Sequence, residues 1–210
     1  MTVIVDYGVG NIFSLRSSLG ALGEEVAVTS DLQIVRQAER IVLPGVGAFA
    51  DAAQQLKRTG LAGAVADAAL SGTPVLGICL GMQLLFERSF ENGVHQGLGL
   101  IGGSVRPIRE SVPEGLKIPH IGWNRLILSK PVHPLFRFLG EAEYVYFVHS
   151  YHAVCPGQFI TARTEYGGLL TAAAAKGNVM GCQFHPEKSG PAGLRILKAF
   201  CMMQKGDFGC

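Results

Sequence analysis

Apolar positions in the first eighty residues come in short blocks of two alternating kinds. Continuous aliphatic or β-branched runs, "TVIVDY" (Thr2–Tyr7), "EVAVTS", "RIVLPG" and "PVLGIC" (Pro74–Cys79), read as strands covered on both faces. Between them the apolar residues are spaced as on one side of a helix. In "NIFSLRSSLGALG" (Asn11–Gly23), Ile12, Leu15, Leu19 and Leu22 share a face, and Gly23 is the stop. Ser30 or Asp31 can cap a short helix over Leu32–Ala38. Ala-rich stretches predict helix through much of Phe49–Leu70, and "LGMQLLFER" turns helical again. Strand and helix alternating at this spacing predict an open, mostly parallel sheet with helices on both faces.

The second half is patterned differently. "GSVRPI", "HIGWNRLIL", "EYVYFVHS", "FITART" and "NVMGCQF" are strand-like with little helix between them, and are expected to extend the sheet with antiparallel strands. The closing "GPAGLRILKAFCMM" returns to helical spacing through Leu194, Leu197 and Cys201. No repeat, low-complexity linker or break in composition divides the chain, so residues 1–210 are read as one domain.

Composition narrows the class. Hydrophobic residues make up 48% and charged residues 16%, enough for a sizeable core and against disorder. A net charge of +2 without a basic run gives no footprint for nucleic acid. The N-terminal run is a first strand rather than a signal peptide, and no stretch nears the roughly 18 apolar residues of a membrane span. Cys79, Cys155, Cys182, Cys201 and Cys210 have no CxxC spacing and read as free thiols, so the expectation is a soluble cytoplasmic protein without a metal.

Some motifs carry no chemistry. "GLGLIG" (Gly97–Gly102) matches GxGxxG but is followed by a strand, not the helix a dinucleotide site needs. In "YGVGN" the third glycine position is Phe13, and a tight turn explains Gly8 and Gly10. His133, in "PVHPLF", reads as a surface histidine.

"GICLGMQLLF" (Gly77–Phe86) is different. A nucleophile on a sharp strand-to-helix turn needs glycine two residues to either side, because side chains there collide with neighbouring backbone. Gly77 and Gly81 meet that need around Cys79, and the N-terminus of the helix that follows would favour a thiolate. "CQFHPEKSG" (Cys182–Gly190) offers the partners a thiolate requires. Pro186 disfavours helix at His185. In an extended segment His185 and Glu187 face the same way, so Glu187 can hold one ring nitrogen while the other meets Cys79. An oxyanion site can come from the Leu80 amide and from Val46–Gly47 in "PGVGAF", which ends the third strand at the edge where such sheets bind ligands. These residues alone leave open a thiol hydrolase or peptidase.

Together, "PGVGAF", "GICLGMQLLFE" and "QFHPEKSG" resemble the class I (triad) glutamine amidotransferases over essentially the whole chain, with their flavodoxin-like α/β fold. "IVDYGVGN" and "PHIGWN" (Pro119–Asn124) are similar to the glutaminase-subunit branch that serves imidazole glycerol phosphate synthase in histidine biosynthesis. The resemblance implies hydrolysis of glutamine to glutamate and ammonia, without a cofactor. It also implies a heterodimer with a (β/α)8-barrel cyclase that receives the ammonia. By matching positions, Cys79 is the nucleophile, His185 the proton carrier, Glu187 its orienter and Gly47 part of the oxyanion loop. Gln83, Glu91, Ser150 and Tyr151 hold the substrate, and His120, Trp123 and Asn124 are candidates for the partner face. Because the oxyanion loop is glycine-rich, resting activity is expected to be low until a partner sets it.

Overall fold

The structure, a computed structural model, describes residues 1–208; Cys210 lies outside the described residues. The alternating first part forms strands β1 (Thr2–Val5), β2 (Val26–Thr29), β3 (Arg40–Leu43) and β4 (Val75–Ile78). Helices α1 (Ile12–Gly20), α2 (Leu32–Arg36), α3 (Phe49–Arg58) and α4 (Leu61–Leu70) lie between them. The Asp31 carboxylate caps α2 by accepting from the amides of Gln33 and Ile34. After β4 come α5 (Leu80–Leu84), β5 (Phe86–Ser89), β6 (His95–Gln96), β7 (Ile101–Pro107), β8 (His120–Arg125) and β9 (Ile127–Leu128). The chain continues through β10 (Tyr144–His149), β11 (Tyr151–Val154), β12 (Ile160–Glu165), β13 (Leu169–Lys176), β14 (Val179–Cys182) and α6 (Gly190–Cys201).

The main sheet has eight strands in the order β2-β1-β3-β4-β14-β13-β12-β9. Its first five positions are parallel and the rest antiparallel. Every residue of β1, β3, β4 and β14 is buried, as their unbroken apolar runs require when both faces are covered. Alternate side chains feed two cores. Val3, Val5, Ile41 and Leu43 pack with Phe49, Leu56 and Val65 of α3 and α4. Ile4, Val42, Leu76 and Ile78 pack with Leu15, Leu19, Ile196 and Phe200 of α1 and α6.

Two expectations need correcting. The second half does not simply extend the sheet. Only β13, β12 and β9 extend it antiparallel, whereas β14 runs parallel to β4. "GSVRPI" lies in a separate four-stranded sheet (β11-β7-β5-β6), and "HIGWN" and "EYVYFVH" pair as β8 and β10. Further, "LGMQLLFER" is helical only through Leu84 and becomes strand at Phe86. The amides of Leu98 and Leu100 reach the carbonyls of Leu84 and Leu85 at 2.8 and 2.9 Å. A distant segment thus takes the carbonyls a longer helix would use. Gly97 permits that approach, since a Cβ there would stand 2.2 Å from Phe86 O. Among the described residues no helix is long and apolar enough to cross a membrane.

Parallel pairing carries four loops to one edge. The carboxyl ends of β1, β3, β4 and β14 release Gly8–Gly10, Pro44–Gly47, Cys79 and Gln183–Glu187 beside one another.

Candidate active site

Cys79 sits at this edge with φ +55° and ψ −110°, a conformation rarely adopted by a residue with a side chain. The glycine spacing has the steric cause expected of it. A Cβ on Gly81 would lie 1.8 Å from Leu43 O, and one on Gly77 would lie 2.6 Å from Gly81 O. Gly45 is equally confined, since a Cβ there would lie 2.7 Å from Gly81 N and 2.8 Å from the Tyr7 hydroxyl. Tyr7 in turn donates to Pro44 O at 2.6 Å, fastening the loop after β3 to the elbow. Helix α5 has five residues, little more than one turn. The long dipole expected behind Cys79 is therefore reduced to the free amides of that turn.

His185 and Glu187 come together, but not on the extended segment expected of them: His185 is extended, whereas Pro186–Lys188 form a 3-10 turn that brings Glu187 to the ring. The His185 Nδ1 to Glu187 Oε1 distance is 2.8 Å, with both side chains 3% exposed. The His185 amide donates to Tyr146 O, and the Ser189 hydroxyl donates to His185 O, so the ring's backbone is fixed on both sides. Burial works to lower the His185 pKa. Hydrogen bonds to Cys79 and Glu187, and the negative charge of each, outweigh burial and raise it to about 9. Glu187 Oε2 is buried without a partner among the described residues.

Nine of the ten site residues expected from the sequence line one cavity of about 440 Å³: Val46, Gly47, Cys79, Leu80, Gln83, Glu91, Ser150, Tyr151 and His185. Glu187 stands behind His185 instead. Gly47 has φ +97° and Val46 is half exposed, so this loop borders the cavity without packing into the core. Gln83 is no surface residue: it is buried, and its Nε2 donates to Tyr151 O at 3.1 Å and to Gln183 Oε1 at 3.0 Å. Glu91 is half-buried. Its Oε2 accepts from the Phe49 amide at 2.8 Å, which ties the first residue of α3, just beyond the Val46–Gly47 loop, to the opposite wall.

Pro119, Val148 and His149 also line the cavity and were not singled out from the sequence; nor was Gln183, whose Nε2 lies 3.6 Å from Cys79 Sγ. His149 Nδ1 faces Tyr151 O at 2.8 Å and therefore carries the proton there. His149 Nε2 is left to accept from His120 Nδ1 at 3.0 Å. Burial holds both rings neutral, near 3 for His149 and 4 for His120.

Of the partner-face candidates, His120 is buried, Asn124 half-buried and Trp123 55% exposed. His133 is half-buried as well, its Nδ1 accepting from the Leu135 amide. Burial pushes up the other described thiols, Cys155 to about 11, Cys201 to about 12 and Cys182 well above its usual value.

The glutamine amidotransferase class-I family model matches residues 3–203. The chain belongs to the class-I glutamine amidotransferases. Its similarity extends to proteins named imidazole glycerol phosphate synthase subunit HisH. That of Lactococcus lactis subsp. lactis is 47% identical over 199 residues, 94% of this chain and 96% of that protein. That of Sulfurimonas denitrificans is 47% identical over 202 residues, 95% and 97% of the two chains. Among solved structures, PurLQS from Thermotoga maritima superposes with a TM-score of 0.74 at 22% identity, covering 95% of this chain and 96% of that one. At that identity the likeness speaks for the fold alone. As a class-I amidotransferase the chain is a glutaminase, with a cysteine at the head of its chemistry.

Proposed function

We propose that this chain is the glutaminase subunit of an imidazole glycerol phosphate synthase, a single domain over residues 1–210 working in the cytoplasm. In this reading it hydrolyses glutamine and passes the ammonia to a (β/α)8-barrel cyclase. The observation that carries the proposal is the cavity at the sheet edge, where a strained cysteine meets a histidine held from behind by a buried glutamate. The 47% identity to HisH proteins supports the branch.

The geometry supports the following steps. Cys79 Sγ attacks the side-chain amide carbon of glutamine, and the amide π electrons move to oxygen. The amides of Leu80 and the Val46–Gly47 loop receive that oxyanion; one such donor is worth about 100- to 1,000-fold in rate. His185, charged at neutral pH, gives a proton to the departing nitrogen as the C–N bond breaks, leaving a glutamyl thioester. The neutral ring then takes a proton from water. The hydroxide adds to the thioester carbon, and the C–S bond breaks to return Cys79. Glu187 keeps the His185 ring oriented and stabilises its charge. Gln83, Glu91, Ser150 and Tyr151 hold the α-amino-acid end of the substrate.

For the partner face, Phe13 (82% exposed) and Val46 follow the strands that end at the site. Trp123 packs edge-on to Tyr146, whose carbonyl accepts from His185. Glycine at position 47 leaves the oxyanion loop free to be reset when the barrel docks. The test is glutamate release by the purified chain, alone and with a cyclase barrel loaded with its nucleotide substrate. Activation by the barrel that vanishes in Cys79→Ala supports the reading. Barrel-independent activity refutes the gating, and activity surviving in Cys79→Ala refutes the nucleophile.

A further inference from the structure

Gln183 is completely buried, so both ends of its side-chain amide must find partners inside the protein. The orientation of that amide follows from one group that cannot be reversed. Tyr151 O is a backbone carbonyl and only accepts, so the Gln83 group facing it is the NH2. The same NH2 meets Gln183 at 3.0 Å, so the Gln183 atom there is its oxygen. The NH2 of Gln183 is thereby turned to the Cys79 sulfur, 3.6 Å away. The result is a relay that starts at the Gln83 amide, which donates to Tyr151 O on one side and to Gln183 on the other, and Gln183 in turn donates to Cys79. It spans β11, α5 and the segment after β14, elements brought together only by the fold.

The chemistry of such a contact is specific. Cys79 is 7% exposed, so water contributes little to stabilising charge on its sulfur. A fixed N–H donor supplies what water cannot, and donors to charged acceptors are the stronger hydrogen bonds. His185 alone cannot serve throughout, because it gives up its proton during the cycle. An amide N–H does not titrate and stays in place in both half-reactions.

We propose that Gln183 is a positioning residue of the glutaminase, donating a hydrogen bond to the Cys79 sulfur in its anionic state and, through Gln83, linking the nucleophile to the substrate cavity. The inference rests on Cys79 being the nucleophile.

The test is the pH dependence of Cys79 alkylation by iodoacetamide in the full chain, read on the Cys79 peptide by mass spectrometry. It compares the parent with Gln183→Met and Gln183→Glu. Loss of one donor to a charged sulfur is expected to move the half-point up by about one pH unit, a tenfold change in the anionic fraction near neutrality. Gln183→Glu is expected to move it further, since a carboxylate would face the sulfur. With glutamine and the barrel partner, kcat falls in step with the shift while KM changes little. A Gln183→Met profile that coincides with the parent overturns the proposal, as does a rise in KM alone.

Cys182, fully buried, serves as the fold control, because it stays unlabelled in an intact variant. If it becomes labelled in Gln183→Met, Gln83→Met unlocks the same amide from the far side. A shift there supports the relay and its absence overturns it. Alkylation does not need turnover. A parent that shows the Gln183-dependent profile but releases no glutamate therefore refutes the functional reading and leaves the relay standing.

Discussion

Gly81→Ala places one methyl group where the fold has no room. The added Cβ would lie 1.8 Å from Leu43 O, 2.8 Å from Leu43 C and 3.2 Å from Pro44 C. Ordinary carbon–oxygen contacts begin at about 3.3 Å, so the elbow and the end of β3 must separate by roughly 1.5 Å. Neither side can yield by turning a side chain, because all three atoms are backbone. Overpacking of this kind costs about 1–3 kcal/mol and occasionally more. In a chain of this size each kcal/mol moves Tm by about 2–4 °C, so a fall of about 2–12 °C is expected. Activity should fall further than stability, since the same displacement moves the Val46–Gly47 loop from Cys79. Gly63→Ala is the matched control. It lies on the exposed side of α4 with nothing within 4 Å of its Cβ. There the methyl group improves helix propensity and is expected to add about 0.5–1 kcal/mol, raising Tm by about 1–4 °C. Thermal unfolding followed by circular dichroism and a glutamate-release assay read both variants. A Gly81→Ala protein with parental Tm and parental activity would refute the close apposition of elbow and strand.

Two further outcomes are expected. His185 is raised from 6.5 to about 9 in the folded state, so the stability it confers is complete below about pH 6.5 and is lost as pH rises through about 9. Glu187→Gln keeps an acceptor for Nδ1 but removes the charge, so the alkaline loss should start at lower pH. Urea unfolding at pH 6, 8 and 10 measures this, and parallel curves for the two proteins would count against the pairing. Glu91→Ala strips the Phe49 amide of its acceptor and is expected to lower stability by about 1 kcal/mol, the usual worth of a helix cap, and to raise KM for glutamine. Glu91→Gln should restore Tm but not KM; recovery of both would show that the negative charge does not touch substrate.

The sequence by itself determined what depends on neighbours along the chain. Apolar runs of β1, β3 and β4 and the helical spacing between them specify strands and helices through local periodicity. Gly77 marks the elbow through crowding within a few residues of Cys79, by Gly81 and Met82, whereas Gly81 is crowded by Leu43 and Pro44 at the end of another strand. His185 and Glu187 are marked by their spacing around Pro186, but a short turn over Pro186–Lys188, not an extended backbone, brings them together. What only the tertiary structure decided lies in contacts between remote segments. Helix α5 stops at Leu84 because residues near 98–100 take its carbonyls. The strands of the second half divide among three sheets, since strand-like patterning says nothing of which partner a strand will pair with. Gln83 is buried and donates to Tyr151 O, 68 positions away, and Glu91 finds the Phe49 amide 42 positions away. Gln183 meets Cys79 across 104 positions. A hydrogen bond of that reach leaves no periodicity in the chain. It exists because parallel strands β4 and β14 lie side by side and release their loops at the same edge.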